Sequence, residues 1–225
     1  MTNKHINTAV NLLSLVRLET DSIGIAVSFG KDSLTTIDLC YEIFDRLEEY
    51  YLYRVRDLSI VNEWNRFVKK RYNLIVRMYP HFDLSRCYRN AVLQPHWKDL
   101  ARNTPQISMA DIEFVFRKEK NIDWIAYGWR RNDSFSRALI MKQTNGFDEK
   151  SKRVFPLRTF TRKKVYEYLA KRKIPIPNNL GRKEQAGLDF HPKAIRFLKE
   201  NNYEDYLKWI KDFPFSEIQL VDNEE

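Results

Sequence analysis

An apolar run, Ile23 to Val27, ends in Ser28-Phe29-Gly30-Lys31-Asp32-Ser33, and from Lys31 onward apolar residues recur at Leu34, Ile37, Cys40, Tyr41, Phe44 and Leu47. The run reads as a buried parallel strand and the recurrence as a helix, so a short polar turn carrying glycine and lysine joins them. Such a turn lies at the carboxyl end of its strand, the edge where open parallel sheets take their ligands. The first N–H groups of the helix have no internal partners and the helix dipole adds partial positive charge, so an anion satisfies both. In this reading Gly30 permits a sharp turn and close backbone approach, Ser28 and Ser33 offer hydroxyls, and Lys31 brings a full positive charge. Asp32 would be repelled by phosphate unless a cation lay between them, which assigns it to Mg²⁺ coordination, directly or through water.

The Walker-type phosphate loop also joins strand to helix through glycines and lysine, but it needs four residues between its glycines and Ser or Thr after the lysine. Here Gly24 and Gly30 are separated by five residues and Asp32 follows Lys31. The segment instead resembles the pyrophosphate loop (PP-loop) of the N-type ATP pyrophosphatases, the adenine nucleotide alpha hydrolase-like superfamily. Its Ser-x-Gly-Lys-Asp-Ser form is similar to that of the phosphoadenosine phosphosulfate (PAPS) reductase-like family. Trp124-Ile125-Ala126-Tyr127-Gly128, followed by Trp129-Arg130-Arg131-Asn132-Asp133-Ser134-Phe135-Ser136-Arg137, resembles that family's Gly-x-Arg-x-x-Glu/Asp-Ser-x-x-Arg segment. Phe155-Pro156-Leu157-Arg158, Val165-Tyr166-Glu167-Tyr168-Leu169 and Ile174-Pro175-Ile176-Pro177 resemble its Pro-Leu, Val-x-x-Tyr-Leu and Ile-Pro elements, so the likeness runs from about residue 20 to residue 181.

The resemblance implies an adenine nucleotide, ATP or PAPS, with its phosphates on Ser28, Phe29, Gly30, Lys31, Asp32 and Ser33 and with Gly128, Arg130, Arg131, Ser134 and Arg137 completing the site. Lys31, Asp32 and Arg130 are the expected catalytic residues and Asp32 the expected Mg²⁺ ligand. The second segment also makes physical sense by itself, since planar guanidinium forks after a strand end bind phosphate or sulfate oxygens in pairs. The alternative for these arginines is a solvated basic loop with structural ion pairs to Asp133.

The chain departs from the reductases it resembles. Sulfonucleotide reductases carry a C-terminal Glu-Cys-Gly-Leu-His element whose cysteine attacks sulfate sulfur, whereas the comparable stretch here is Ala186-Gly187-Leu188-Asp189-Phe190-His191. Reduction by the usual thiosulfonate route therefore lacks its nucleophile. Of the two cysteines, Cys40 falls on the apolar stripe after the loop and reads as a packing residue; Cys87 sits in Ser85-Arg86-Cys87-Tyr88-Arg89, where a lowered thiol pKa is the alternative, but with no histidine or second cysteine nearby in sequence it too reads as structural filler. An iron–sulfur cluster held by four cysteines of one chain is not expected.

Alternating apolar strands and amphipathic helices predict an α/β fold with a doubly wound, mostly parallel sheet flanked by helices. A helix over residues 3–18 precedes the first strand, Ile23–Val27. Tyr50–Val55, Leu74–Met78 and Trp124–Gly128 are the next strands; helices open at Ser59 and at Ser108, where Asp111 lies at capping distance. The predicted organisation is a PP-loop nucleotide-binding domain over residues 1–181 and a small helical C-terminal cap over 182–225, with the irregular segment Ile174 to Lys183 as a flap. His81 and Asp83 follow the third strand and are candidate substrate contacts or a base, against the alternative of a local hydrogen-bonded pair. His191 reads as a capping or surface residue.

The chain has 225 residues, 43% hydrophobic, enough for one substantial core, and no apolar stretch long enough to span a bilayer or to serve as a signal core, so a cytoplasmic setting without membrane attachment is expected. Its 39 Lys plus Arg against 30 Asp plus Glu leave a net charge of +9, which suits a nucleotide and, as a further partner, a nucleic acid or a second protein subunit. The reading adopted is a PAPS reductase-like PP-loop ATP pyrophosphatase that adenylates an acceptor with release of pyrophosphate, for thiolation, amidation or a related modification. The alternatives are a sulfonucleotide reductase or hydrolase using a thiol in trans, and a non-catalytic nucleotide- or nucleic-acid-binding subunit.

Overall fold

A computed structural model describes residues 4–177 and 188–221. The strands are β1 (Ser22–Val27), β2 (Arg46–Tyr53), β3 (Arg77–Pro80), β4 (Ile125–Tyr127), β5 (Phe147–Asp148) and β6 (Arg153–Val154). They form one sheet in the order β3-β2-β1-β4-β6-β5. β1 pairs parallel with both β2 and β4, β4 pairs parallel with β6, and β5 pairs antiparallel with β6 at an edge. The helices are α1 (Lys4–Arg17), α2 (Lys31–Tyr41), α3 (Ser59–Tyr72), α4 (Asp83–Arg89), α5 (Lys98–Asn103), α6 (Met109–Lys120), α7 (Phe135–Thr144), α8 (Arg162–Lys171), α9 (Pro192–Asn201), α10 (Tyr203–Asp212) and the short α11 (Ile218–Val221). This is the doubly wound α/β fold with a helical C-terminal end that the alternating pattern implies.

The strand order fixes where a ligand belongs. From β1 the chain winds to β2 and β3 on one side and then crosses back to β4 on the other, so β1 and β4 are neighbours whose onward connections diverge. That is a topological switch point, and the crevice beyond its strand ends is the ligand position of open α/β sheets.

The chain forms two compact units, one of residues 1–51, 68–77 and 116–177, the other of 52–67, 78–115 and 178–225. In the first, Ile23, Ile25, Val27, Ile125 and Ala126 of the strands and Leu34, Ile37 and Phe116 of the helices are buried. Close packing there depends on Gly24: a Cβ would lie 2.6 Å from Cε1 of Phe116, so a larger residue at this position would displace the Phe116 ring of α6. Asp38 on α2 is buried and accepts from the Tyr72 hydroxyl at 3.0 Å, the Tyr168 hydroxyl at 2.7 Å and Arg172 Nε at 2.6 Å. A buried carboxylate satisfied three times is compensated for its lost hydration, and it ties α3 and α8 to the helix that begins at the loop. In the second unit Asp205 does similar work, accepting from the backbone N–H of Ser59 at 2.7 Å and of Ile60 at 3.0 Å at the start of α3.

Several boundaries differ from the sequence reading. β2 begins at Arg46, four residues earlier than predicted, because Arg46, Glu48 and Glu49 hide a strand whose Leu47, Glu49 and Tyr50 are buried. β3 lies at Arg77–Pro80 rather than Leu74–Met78; Ile75, which suggested the earlier start, is exposed. Capping is as the sequence implies: the Ser108 hydroxyl and N–H donate to Asp111, and His191 Nδ1 accepts from Lys193 N with Pro192 in the first turn of α9. Of the proposed flap, residues 174–177 are described, with Ile174 buried and Ile176 exposed; its remainder and the boundary at residues 181 and 182 lie outside the described residues, as do Ala186 and Gly187.

Candidate active site

The loop Ser28–Gly30 connects β1 to α2, whose first residues are Lys31, Asp32 and Ser33. The residue in the left-handed region is Phe29, at φ 53°; Gly30 has φ −83°. The sharp turn assigned to Gly30 is therefore made at Phe29, a conformation unfavourable for a bulky residue and held here by burial of its ring against Tyr51, centroids 5.2 Å apart. Gly30 instead caps α2 without a side chain, so no hydroxyl or carboxylate closes the helix start. Ser33 Oγ donates to the Gly30 carbonyl at 3.0 Å and lies 3.5 Å from Ser28 Oγ, placing both hydroxyls on the loop.

The segment after β4 comes to the same place. Gly128 packs on the backbone of Asp32 and Ser33: a Cβ there would meet the Asp32 carbonyl carbon at 2.9 Å and Ser33 N at 3.1 Å. Glycine is needed for this approach, not for its φ. Arg130 follows, with Nε 3.1 Å from Asp32 Oδ1 and Nη2 2.6 Å from Asp133 Oδ1. Asp133 also accepts from Arg130 N at 2.9 Å and from Arg137 Nη1 at 3.0 Å. Lys31 Nζ lies 2.5 Å from Asp32 Oδ2, and its side chain is almost fully buried. The ion pairs to Asp133 weighed in the sequence thus exist, alongside the link from Arg130 to the loop.

This arrangement is charged yet internally neutralised. Burial pushes the Asp32 carboxyl above the usual carboxylate range, against the opposing pull of Lys31 and then Arg130. Asp32 Oδ1 and Arg130 Nε face each other as charges without an aligned hydrogen bond, so a buried carboxylate oxygen has no donor. An anion entering between β1 and β4 would meet Lys31, Arg130 and the open start of α2, and would draw the two cations from their carboxylates.

Trp129 was not singled out in the sequence. Its ring stacks on Phe155, centroids 5.4 Å apart, and the Arg137 guanidinium lies over it, 4.9 Å from its centroid. Arg137 is thereby oriented toward Asp133, which holds Arg130. Ser134 caps α7, its hydroxyl accepting from Arg137 N at 3.3 Å, and Arg131 is exposed with its backbone N–H on the Arg158 carbonyl.

His81 and Asp83 belong to the second unit and are described there. Asp83 N donates to His81 Nδ1 at 3.1 Å, and Arg54 Nη2 lies 3.1 Å from both His81 Nε2 and Asp83 Oδ2. Burial, then the Arg54 charge, pushes His81 down to about 4, so the ring is neutral near pH 7. Cys40 and Cys87 are both buried free thiols, in keeping with packing roles; at Cys87 burial, then Asp83, raises the thiol pKa against the opposing charge of Arg86. Among the described residues no group of three or more His, Cys, Asp or Glu could hold a metal by itself, and no helix is long and apolar enough to cross a membrane.

The sequence model of the phosphoadenosine phosphosulfate reductase domain matches residues 22–184, most of the chain, and takes in both the loop and the Gly128–Arg137 segment. This chain belongs to that family. The solved PAPS reductase of Candida auris, a phosphate complex, is similar at TM-score 0.53 and 14% identity, over 83% of this chain and 96% of that one. The NH3-dependent NAD synthetase of Campylobacter jejuni, in complex with nitrate, gives 0.50 and 10% over 98% and 95%. Yeast FAD synthetase, in complex with FAD, gives 0.51 and 15% over 85% and 68%. At these identities the likenesses show a shared fold. Curated protein sequences give no match.

Proposed function

We propose that this PAPS reductase-domain protein binds an adenine nucleotide at the β1/β4 crevice and transfers its adenylyl group to an acceptor with release of pyrophosphate. The observation that carries the reading is the contact of Gly128 and Arg130 with Asp32, which joins the loop and the arginine segment at the switch point of the sheet. With ATP, the loop N–H groups, Ser28, Ser33 and Lys31 take the β- and γ-phosphates, and Arg130 faces the α-phosphate. A nucleophile of the acceptor forms a bond to the α-phosphorus while the bond to the bridging oxygen breaks, and that electron pair leaves on pyrophosphate. The cations lie where this charge develops, which is the main catalytic contribution available to residues of this kind. A second nucleophile then displaces AMP from the adenylated acceptor.

Asp32 fits Mg²⁺ in one limited sense: it offers a buried oxygen without a donor, and Mg²⁺ is held by one or two carboxylates together with substrate phosphates and water. Bound there, Mg²⁺ would neutralise charge on the departing phosphates. The cysteines favour adenylyl transfer over reduction, since Cys40 and Cys87 are buried with thiol pKa values raised by burial and no cysteine follows Cys87. Free thiols also suit a reducing compartment such as the cytoplasm.

The second reading, sulfonucleotide chemistry with a thiol supplied in trans, is favoured by the family itself and by the guanidinium groups of Arg130, Arg131 and Arg137 after β4. Competition of ATP and PAPS against a fluorescent ATP analogue separates the two. Adenylyl transfer predicts displacement by ATP and no sulfite from PAPS with reduced thioredoxin; preference for PAPS with sulfite release overturns it.

A further inference from the structure

The second unit carries a basic surface that the nucleotide reading does not use. Two clefts adjoin there. One, of about 570 Å³, is lined by residues that include Phe82, Arg86, Arg89, Asn90 and Gln106. The other, of about 650 Å³, shares Arg89 and Asn90 and continues past His96 to Lys98 and Arg102. All the Lys and Arg residues of the stretch 78–115 line these clefts: Arg86, Arg89, Lys98 and Arg102. Of its acids, Asp83 alone does. Asp99 is exposed next to Lys98 in the first turn of α5, Asp111 is turned onto Ser108 as a helix cap, and Glu113 is buried.

Among the described residues only Arg86 of these cations has a carboxylate partner, Asp83. Arg86 lies 3.8 Å from Asp83 and is well exposed, and Arg89 Nη1 donates to the Thr104 carbonyl at 3.3 Å. Lys98 and Arg102 are exposed and have no carboxylate partner among the described residues. Between His96 and Lys98, Trp97 leaves 56% of its surface in water, an unusual position for the largest apolar side chain. The turn presenting it is pinned: Gln94 is buried and donates to the Cys87 carbonyl at 2.9 Å, and Leu93 O accepts from Phe215 N at 2.9 Å. Ala91 and Leu93 stand in the left-handed region, which the surrounding contacts must hold.

We infer that these adjoining clefts bind single-stranded nucleic acid, with Arg86, Arg89, Lys98 and Arg102 along the phosphates and Trp97 stacking on a base. A run of cations beside an exposed aromatic is the recognition chemistry of single strands, in which a charged groove follows the backbone and an aromatic face accepts any base. A phosphopeptide site would converge its guanidinium groups on one phosphate, whereas these are distributed along two connected clefts. A membrane contact would use a projecting surface rather than a concave one. Asn90 and Gln106 add exposed amides suited to base edges. This inference goes beyond the nucleotide reading and does not depend on it.

The test is fluorescence anisotropy of labelled 15-nucleotide single strands, RNA and DNA separately, with duplex, a phosphoserine peptide and phosphatidylserine vesicles as competitors. R89E/K98E/R102E is compared with a control reversal on the other unit, K118E/K150E/K163E, each checked for folding by circular dichroism; W97A keeps every charge. The expected result is single-strand binding that weakens at least about thirty-fold in the cleft triple and a few-fold in the control. The salt slope should fall by about 2, since each phosphate that a side chain neutralises on a single strand contributes about 0.7 and the triple removes three such cations. W97A should weaken binding about ten-fold by removing the stacking ring, with its salt slope unchanged. Either nucleic acid meeting these conditions supports the inference. No binding, equal weakening in the two triples, tighter binding of duplex, or displacement only by phosphopeptide or vesicles overturns it.

Discussion

Gly128 lies against the peptide of Asp32, so close that a Cβ would come within 2.9 Å of the Asp32 carbonyl carbon and 3.0 Å of its oxygen. The neighbouring atoms are backbone, at the first turn of α2, and cannot rotate away. Gly128→Ala should therefore shift the loop, costing about 1–3 kcal/mol of stability and weakening nucleotide binding about ten-fold or more. Gly30→Ala is the comparison: its Cβ would meet only the Ser28 hydroxyl, at 3.4 Å, and the change should cost about 1 kcal/mol or less. Denaturant midpoints and nucleotide titrations on both variants check the contrast.

Asp38 supports the same helix from its far side. Asp38→Ala would leave Arg172 and the hydroxyls of Tyr72 and Tyr168 without their shared acceptor, and should destabilise the chain by about 3 kcal/mol. Urea unfolding followed by circular dichroism reads this as a lower midpoint with an unchanged slope.

Glu49 should make stability fall as pH rises. It is 1% exposed, Oε1 has no hydrogen-bond partner, and burial, then Glu48, pushes its carboxyl from 4.5 up to about 8. Between those values the folded chain holds a proton that the unfolded chain has released, so the contribution is full below pH 4.5 and lost as pH rises through 8. Glu49→Gln should remove this dependence and raise stability near pH 9 by roughly 2 kcal/mol relative to the parent. Melting temperatures of both proteins at about pH 6 and pH 9 measure it.

His81 should act in the opposite sense. Its folded value near 4 lies below the ordinary 6.5, so its contribution is full above 6.5 and lost as pH falls through 4. A proton NMR titration should show the His81 ring unshifted between about pH 8 and pH 5.5, where an ordinary histidine completes most of its change. A midpoint near 6.5 would contradict the Arg54 contact.

The strand, loop and helix around Lys31 were legible because a buried parallel strand is an apolar run and α2 repeats its apolar residues with helical spacing. The partnership of Gly128 with Asp32 was not, since contact between segments a hundred residues apart has no local signature. The sequence also placed the turn at Gly30, the residue permitted to make it, while tertiary packing forces Phe29 into that conformation. β5 and β6 have two residues each, too short for any period. Glu49 was passed over because a charged residue inside a strand normally signals solvent; the arginines flanking Cys87 are likewise visible in the sequence, whereas the burial that outweighs them is not.

The measurement that bears most directly on the central claim is a calorimetric titration of the chain with ATP and Mg²⁺, repeated with Lys31→Ala. Lys31 is buried against Asp32 at the start of α2, so its removal takes away the cation expected on the phosphates. Saturable binding by the parent, reduced about a hundred-fold or more in the variant, is the predicted result. Equal binding by the two proteins, or no binding of ATP or PAPS by a folded parent, would contradict a nucleotide site between β1 and β4.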